Sequence, residues 1–410
     1  MRALRFCMVT TFFPPHSFGG DALFVYRLSE ALAERGHRVD VVYSEDAYHT
    51  VTNVEPSLGF TTHPRVTCHA FKGRWPRLAS LVCHQTGTPG LYKRRLNRLF
   101  ESERFDVIHY HNISLIGGPS VLKAGSAVKL YTPHEYWLVC PTHVLFKFDE
   151  EACTERACLR CTLRARRPPQ LWRSTGRLEE CLAHVDRFLM PSRFALERHR
   201  ADGIDGDMTI LNNFVATPTA TAVESIADRP YFLYVGRLEK LKGVQDLIRL
   251  FRSDREAELL IVGDGTYRRE LERAADGLAH VRFLGALHPR ALGAYYRQAI
   301  AVLVPSLCYE MFPLVPAEAL SHGTPVIARR LGALAEVVEA SGGGLLFDSV
   351  EDCRAACHRL LRDSTLRSEL GERGRSYAHQ HWTVDAHLER YLSIVNELLE
   401  TRAAGKATPA

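Results

Sequence analysis

The chain has 410 residues, 46% hydrophobic and 24% charged, with a formal net charge of +5. That balance excludes wholesale disorder, and the length allows two domains, each with its own core. No apolar run approaches the roughly 18 residues that a membrane-spanning helix needs.

In chain order, Met1–Val9 is basic and then apolar, without the long apolar stretch and cleavage site of a secretory signal. It reads as a first strand, and a cytoplasmic location is the expectation. In that compartment the eleven cysteines are reduced thiols or metal ligands. Further strands are predicted at Val39–Ser44, Val66–Phe71, Val107–His111, Val128–Tyr131, Phe188–Pro191 and Thr209–Leu211. Helical segments such as Ala22–Arg35 alternate with them. Near-continuous apolar strands separated by helices indicate a parallel sheet covered on both faces.

The first domain is placed at 1–215, with a Cys-rich insertion at 140–161. A Pro/Thr-rich stretch makes 216–228 the linker. Strands at Tyr231–Val235, Leu259–Val262, Val281–Leu284, Ala301–Val304 and Pro325–Ala328 then build a second domain at 229–382. A terminal helix occupies 383–405, with Gly405–Ala410 frayed. The fold class is α/β: two doubly wound Rossmann-like domains facing a central cleft, with ligands at the strand carboxyl ends.

Glu310 and Glu318 stand eight positions apart across a strand, loop and helix boundary. Pro316 suits the first helical position. Glu318 then falls in the first turn, beside unpaired N–H groups that form an anion site. Two carboxylates around such a dipole end suit a sugar nucleotide; the spacing equally fits a capping glutamate and an ordinary loop glutamate. Arg237 and Lys242, in Gly236–Gly243 after a buried strand, offer a forked donor and a point charge for a diphosphate. A basic surface loop is the alternative. Gly19 and Gly20 allow close backbone approach at a helix start, or simply a tight turn. His134, at a strand end, can donate to a sugar hydroxyl or serve only structure.

These pieces, with the strand Asp106–Asn112, Val262–Gly265, Phe283–Gly285 and Glu310-x7-Glu318, occur in the order typical of retaining GT-B glycosyltransferases of family 4, which the whole chain resembles. The resemblance implies a metal-independent, front-face transfer from a nucleotide-diphosphate sugar to a hydroxyl acceptor (a glycan, a lipid-linked or a small-molecule acceptor). Arg237 and Lys242 are then diphosphate ligands, Glu310 contacts the transferred sugar, and Glu318 holds the ribose. His134 lies over the sugar on the acceptor side, and His134, Arg237, Lys242 and Glu310 form the catalytic set. Gly19, Gly20, Gly263, Leu284, Gly285, Met311, Phe312, Leu314 and Val315 complete the donor site, the segment around Leu284 flanking the nucleobase. Two positions depart from the family pattern. Met311-Phe312-Pro313 replaces the usual Gly-Phe-Gly, so residue 313 has no N–H for a phosphate, and 212–216 lacks the frequent Asn-Gly-Val-Asp ending. Other readings in the same fold are a sugar-nucleotide epimerase and a non-catalytic nucleotide-sugar-binding protein.

Cys140, Cys153, Cys158 and Cys161 crowd one polar stretch, and Cys158-x2-Cys161 has the spacing of a metal knuckle. A structural zinc is the expectation there, against free buried thiols; no cofactor is expected in the chemistry. Basic clumps at 93–98 and 160–173 fit an anionic membrane surface at its inner face, a phosphorylated acceptor, or plain solvated helix faces. No nucleic-acid motif accompanies them, so no nucleic-acid partner is expected.

Overall fold

The computed structural model describes residues 2–17, 19–52, 55–56, 59–216 and 226–407. Most of the 216–228 linker, residue 18 and residues 408–410 therefore lie outside the described residues. The strands are β1 (Arg5–Val9), β2 (Arg38–Ser44), β3 (Val66–Phe71), β4 (Val107–Tyr110), β5 (Val128–Tyr131), β6 (Phe146–Lys147), β7 (Glu151–Ala152), β8 (Arg187–Met190) and β9 (Met208–Ile210). They continue with β10 (Tyr231–Val235), β11 (Glu258–Val262), β12 (Val281–Gly285), β13 (Val302–Val304), β14 (Val326–Arg329) and β15 (Gly344–Phe347).

Seven strands form one sheet in the order β3-β2-β1-β4-β5-β8-β9, and six form another in the order β12-β11-β10-β13-β14-β15. Every pairing in both is parallel. This is the α/β doubly wound class. The strand residues show why: Phe6, Val41, Ile108 and Leu130 in the first sheet are at most 1% exposed, as are Leu233, Leu260, Val302 and Ile327 in the second. Both faces of each sheet are covered by helices, which leaves no room for polar alternation.

The chain divides into two compact units, residues 1–143 with 158–213 and 387–410, and residues 144–157 with 214–386. The Cys-rich stretch is therefore split. Its middle forms the antiparallel hairpin β6–β7 and belongs to the second unit, where Lys240 Nζ donates to Asp149 O at 2.8 Å. The last helix, Val384–Ala407, ends two residues past the expected 405, and Gly405–Ala407 are helical rather than frayed. In the first unit its Tyr391 packs on Phe6 and His109.

Candidate active site

Sheet order reverses between β10 and β13 in the second unit, and ligands of doubly wound sheets bind outside the strand carboxyl ends at such a point. The loop after β10 carries Arg237 and Lys242, and the loop after β13 carries Glu310. Leu307 N donates to Leu241 O at 2.8 Å, which ties the two loops together. One glycine permits this approach, and a second lets the loop after β11 close on the loop after β10. Gly243 has φ 74°, and a Cβ there would lie 2.1 Å from Pro305 O; Gly263 has φ 135°, and a Cβ would lie 1.9 Å from Gly236 O. No L-residue with a side chain fits either place without moving backbone.

Within this frame Lys242 Nζ donates to Glu310 Oε1 at 2.6 Å, and Ser306 Oγ donates to the same oxygen at 3.0 Å. The two charged side chains are only 18% and 22% exposed. Burial disfavours the charge on Lys242, but Glu310, Cys308 and Tyr234 outweigh it and hold the ammonium above its ordinary value. Burial likewise opposes the Glu310 carboxylate, and Lys242, Ser306 and Arg237 overcome it, so Glu310 stays below the usual carboxylate range. Both groups are charged at neutral pH. Arg237 lies beside them, half-exposed, with Nη1 2.8 Å from Glu239 Oε1.

Glu318 is placed differently from the sequence expectation. The helix is Leu314–Ser321 with Pro313 at the N-cap, so Pro316 is the third helical residue and Glu318 the fifth, beyond the first turn. A proline is tolerated there because the first N–H groups of a helix have no intrahelical partner. Glu318 is instead fixed by its side chain, whose Oε2 accepts from Tyr296 OH at 3.1 Å. Gly263 N donates to Gly285 O at 2.8 Å, so these two candidates adjoin at the ends of β11 and β12, with Leu284 half-buried next to them. Met311 and Phe312 are each 6% exposed, and Phe312 meets the Trp382 ring edge-on. Their side chains are core, as are partly those of Leu314 and Val315.

In the first unit Gly19, with φ 93°, is the N-cap of the helix Gly20–Glu34, which has no side-chain cap. His134 is not a lone histidine. Its Nε2 lies 3.0 Å from His111 Nδ1, the two rings stack at 5.2 Å, and Phe24 packs on it at 5.1 Å. His109 follows, 4.0 Å from His111 between ring centroids, with Nδ1 3.1 Å from Tyr391 OH and Nε2 2.8 Å from Thr132 Oγ1. His387 joins through Phe24 and Tyr391, its Nδ1 2.8 Å from Asn212 O. Burial, and secondarily the mutual repulsion of the rings, puts His109 and His111 well below their ordinary value. The same causes put His134 at about 3, and burial puts His387 at about 4. All four are neutral at pH 7, a set of donors and acceptors rather than of charges. Sequence reasoning assigned no role to His109, His111 and His387. A signal was present: two histidines two apart share one face of an otherwise apolar strand, and His387 and Tyr391 share one helix face.

The family model for Glycosyl transferases group 1 matches residues 219–377, and that for Glycosyltransferase Family 4 matches residues 18–218. The chain belongs to glycosyltransferase family 4. A D-inositol 3-phosphate glycosyltransferase of Corynebacterium jeikeium is 34% identical over 56% of this chain and 53% of its own length. An uncharacterised glycosyltransferase of Methanocaldococcus jannaschii is 25% identical over 93% of this chain and 95% of its own. The chain thus spans about half of the first relative and nearly all of the other. Sucrose-phosphate synthase from Thermosynechococcus elongatus has the same fold, with a TM-score of 0.77 at 21% identity over 97% of this chain and all of that one. The Anabaena HepE structure in complex with UDP-glucose matches with a TM-score of 0.66 at 15% identity over 97% of this chain and all of that one. The fold is GT-B.

The four thiols of the expected zinc site divide between the units: Cys140, Cys158 and Cys161 in the first, Cys153 in the second. Cys140 Sγ lies 3.2 Å from Thr142 Oγ1, and Cys153 Sγ donates to Glu155 O at 3.5 Å. Among the described residues the one trio of ligand atoms within 4.8 Å of each other is His16, Glu45 and His49, and no cysteine is in it. The donor set does not fit a preformed tetrathiolate site. Among the described residues, no helix is long and apolar enough to cross a membrane.

Proposed function

We propose that this family 4 chain transfers a sugar from a nucleotide-diphosphate donor to a hydroxyl acceptor with retention of configuration, without a metal in the reaction. The observation that carries this reading is the buried Lys242–Glu310 pair at the sheet reversal, with Arg237 beside it. The pair keeps each partner charged while no donor is bound. When the diphosphate arrives, Lys242 and Arg237 meet its oxygens, and Glu310 accepts hydrogen bonds from the sugar hydroxyls. Glu318, oriented by Tyr296, takes the ribose hydroxyls.

In the reaction the bond from the anomeric carbon to the β-phosphate oxygen breaks, and the acceptor oxygen bonds to that carbon on the same face. The acceptor proton passes to the departing phosphate oxygen. Charge builds on the nucleoside diphosphate, and fixed cations at Arg237 and Lys242 stabilise it most in the transition state. His134, neutral and held by His111, offers a hydrogen bond to the sugar on the acceptor side. UDP-glucose in the Anabaena complex supports a nucleotide sugar as donor class, and the basic clumps support an acceptor bearing phosphate or a lipid anchor at a membrane surface.

The test is a thermal-shift panel of nucleotide sugars followed by NMR of the product. A bound donor at a hundred times its Kd is expected to stabilise the fold by about 2.7 kcal/mol, and the product to keep the donor's anomeric configuration. No shift with any nucleotide sugar, or an inverted product, contradicts the reading.

A further inference from the structure

The first unit carries a second cluster of chemistry-bearing side chains that the transfer reaction does not use. Strand β2 ends in Ser44, whose Oγ accepts from Ala47 N at 3.0 Å and so starts the helix Glu45–Val51 at a defined residue. Glu45 and His49 stand four apart on that helix and share a face. His16 reaches them from the loop after β1, where Phe13 N donates to His16 O at 3.3 Å.

The His16 ring is held between aromatic neighbours, stacked 6.0 Å from Tyr43 and edge-on 5.6 Å from Tyr48. Its Nε2 and that of His49 address the same oxygen, Glu45 Oε1, at 3.8 and 3.9 Å. These separations are too long for hydrogen bonds. They are close to what three ligands around one ion require, since bonds of about 2.0–2.1 Å in a tetrahedral site put ligand atoms roughly 3.4 Å apart. His16 Nδ1 is buried and makes no hydrogen bond, so the ring is poorly satisfied as it stands. Burial, more than its charged neighbours, keeps His16 below its ordinary pKa and therefore unprotonated at pH 7, as a ligand must be.

We propose that His16, Glu45 and His49 bind one divalent first-row transition cation, with zinc as the probe. Two imidazoles and one carboxylate favour zinc, cobalt or nickel over magnesium and calcium. Three protein ligands leave a fourth position for water. The groups facing the site are Glu45, His49, Lys72, Tyr43 and Tyr48. Of these Lys72 is the competitor: its Nζ holds Glu45 Oε1 at 2.7 Å, on a side chain 69% exposed that a divalent cation displaces into water. Occupied, the site ties the His16 loop to the helix Glu45–Val51. It shares no residue with the Lys242–Glu310 pair or with the cysteine set.

The experiment is titration of the chelator-stripped full chain with zinc by calorimetry and with cobalt by absorbance. One equivalent is expected to bind, and the cobalt form to show visible bands without the near-ultraviolet band of a thiolate ligand. His49→Gln, at an exposed position, is expected to weaken zinc about tenfold or more by removing one of three ligands, with unchanged thermal unfolding of the metal-free protein. Lys72→Met is expected to tighten binding several-fold, because the competing cation is gone. Absence of binding at micromolar zinc, a thiolate band, or affinity indifferent to His49→Gln overturns the proposal.

Discussion

Glu310→Gln isolates the energetics of the central pair, because glutamine keeps the shape and removes only the charge. Lys242 then becomes a cation that is mostly out of water with no counter-charge at 2.6 Å. Breaking a fully buried pair costs about 3–5 kcal/mol; with each side chain about a fifth exposed, the lower end, about 3 kcal/mol, applies. For a domain of this size that corresponds to a fall in Tm of about 6–12 °C. The pH window follows from the two directions. Glu310, held below its unfolded value, stabilises above about pH 4.3 and loses that contribution as pH falls. Lys242, held above its own, stabilises below about pH 10.4 and loses it as pH rises. The difference between wild type and Glu310→Gln is therefore flat from about pH 5 upward and shrinks once pH reaches the point at which Lys242, left to burial alone in the variant, gives up its proton. Scanning calorimetry is the assay. Lys242→Met/Glu310→Leu, which replaces the pair by apolar groups, is expected to recover most of the lost stability while remaining inactive. A Glu310→Gln protein that melts within about 1 °C of wild type refutes the argument.

Other consequences are equally direct. The four neutral histidines of the first unit stay unprotonated when folded but take protons when unfolded below about pH 6.5, so that unit's stability falls from pH 6.5 toward 4. His111→Phe is expected to lower the proton uptake on unfolding by about one, and an unchanged slope of stability with pH contradicts this. Tyr296→Phe removes the hydrogen bond to Glu318 and is expected to weaken nucleotide-sugar binding about fivefold, or roughly 1 kcal/mol, measured by calorimetry; unaltered affinity separates Glu318 from the donor. Gly243→Ala forces a Cβ against Pro305 O and is expected to cost about 2 kcal/mol or more in urea unfolding.

The legible part of the fold was the part governed by local pattern. Strands Val66–Phe71, Val128–Tyr131 and Tyr231–Val235 match the predicted bounds: the last is an apolar run closed by Gly236, and the first two begin with a β-branched and end with an aromatic residue. Strand β15 was missed because it starts in glycines and shows only three apolar residues. The β6–β7 hairpin was missed because two-residue strands have no period to detect. In the site, Lys242, Arg237 and Glu310 were each recognisable from their loops. That Lys242 and Glu310 pair, 68 positions apart, depends on the sheet reversal and on Gly243, where a Cβ would meet Pro305 O, and no local spacing encodes it. The preference of proline for the first helical position misled the placement of Glu318: the helix starts two residues earlier, at Leu314. The cysteine spacing suggested a knuckle at Cys158 and Cys161, which share the first unit, whereas Cys153 belongs to the second.

Arg237→Ala tests the central claim most directly, because Arg237 is 51% exposed and its loss does not disturb the core. With a nucleotide sugar from the panel, kcat is expected to fall about 10²–10³-fold, while Tm stays within about 1 °C of wild type. Turnover near that of wild type contradicts the assignment of the β10–β13 crevice as the donor diphosphate site.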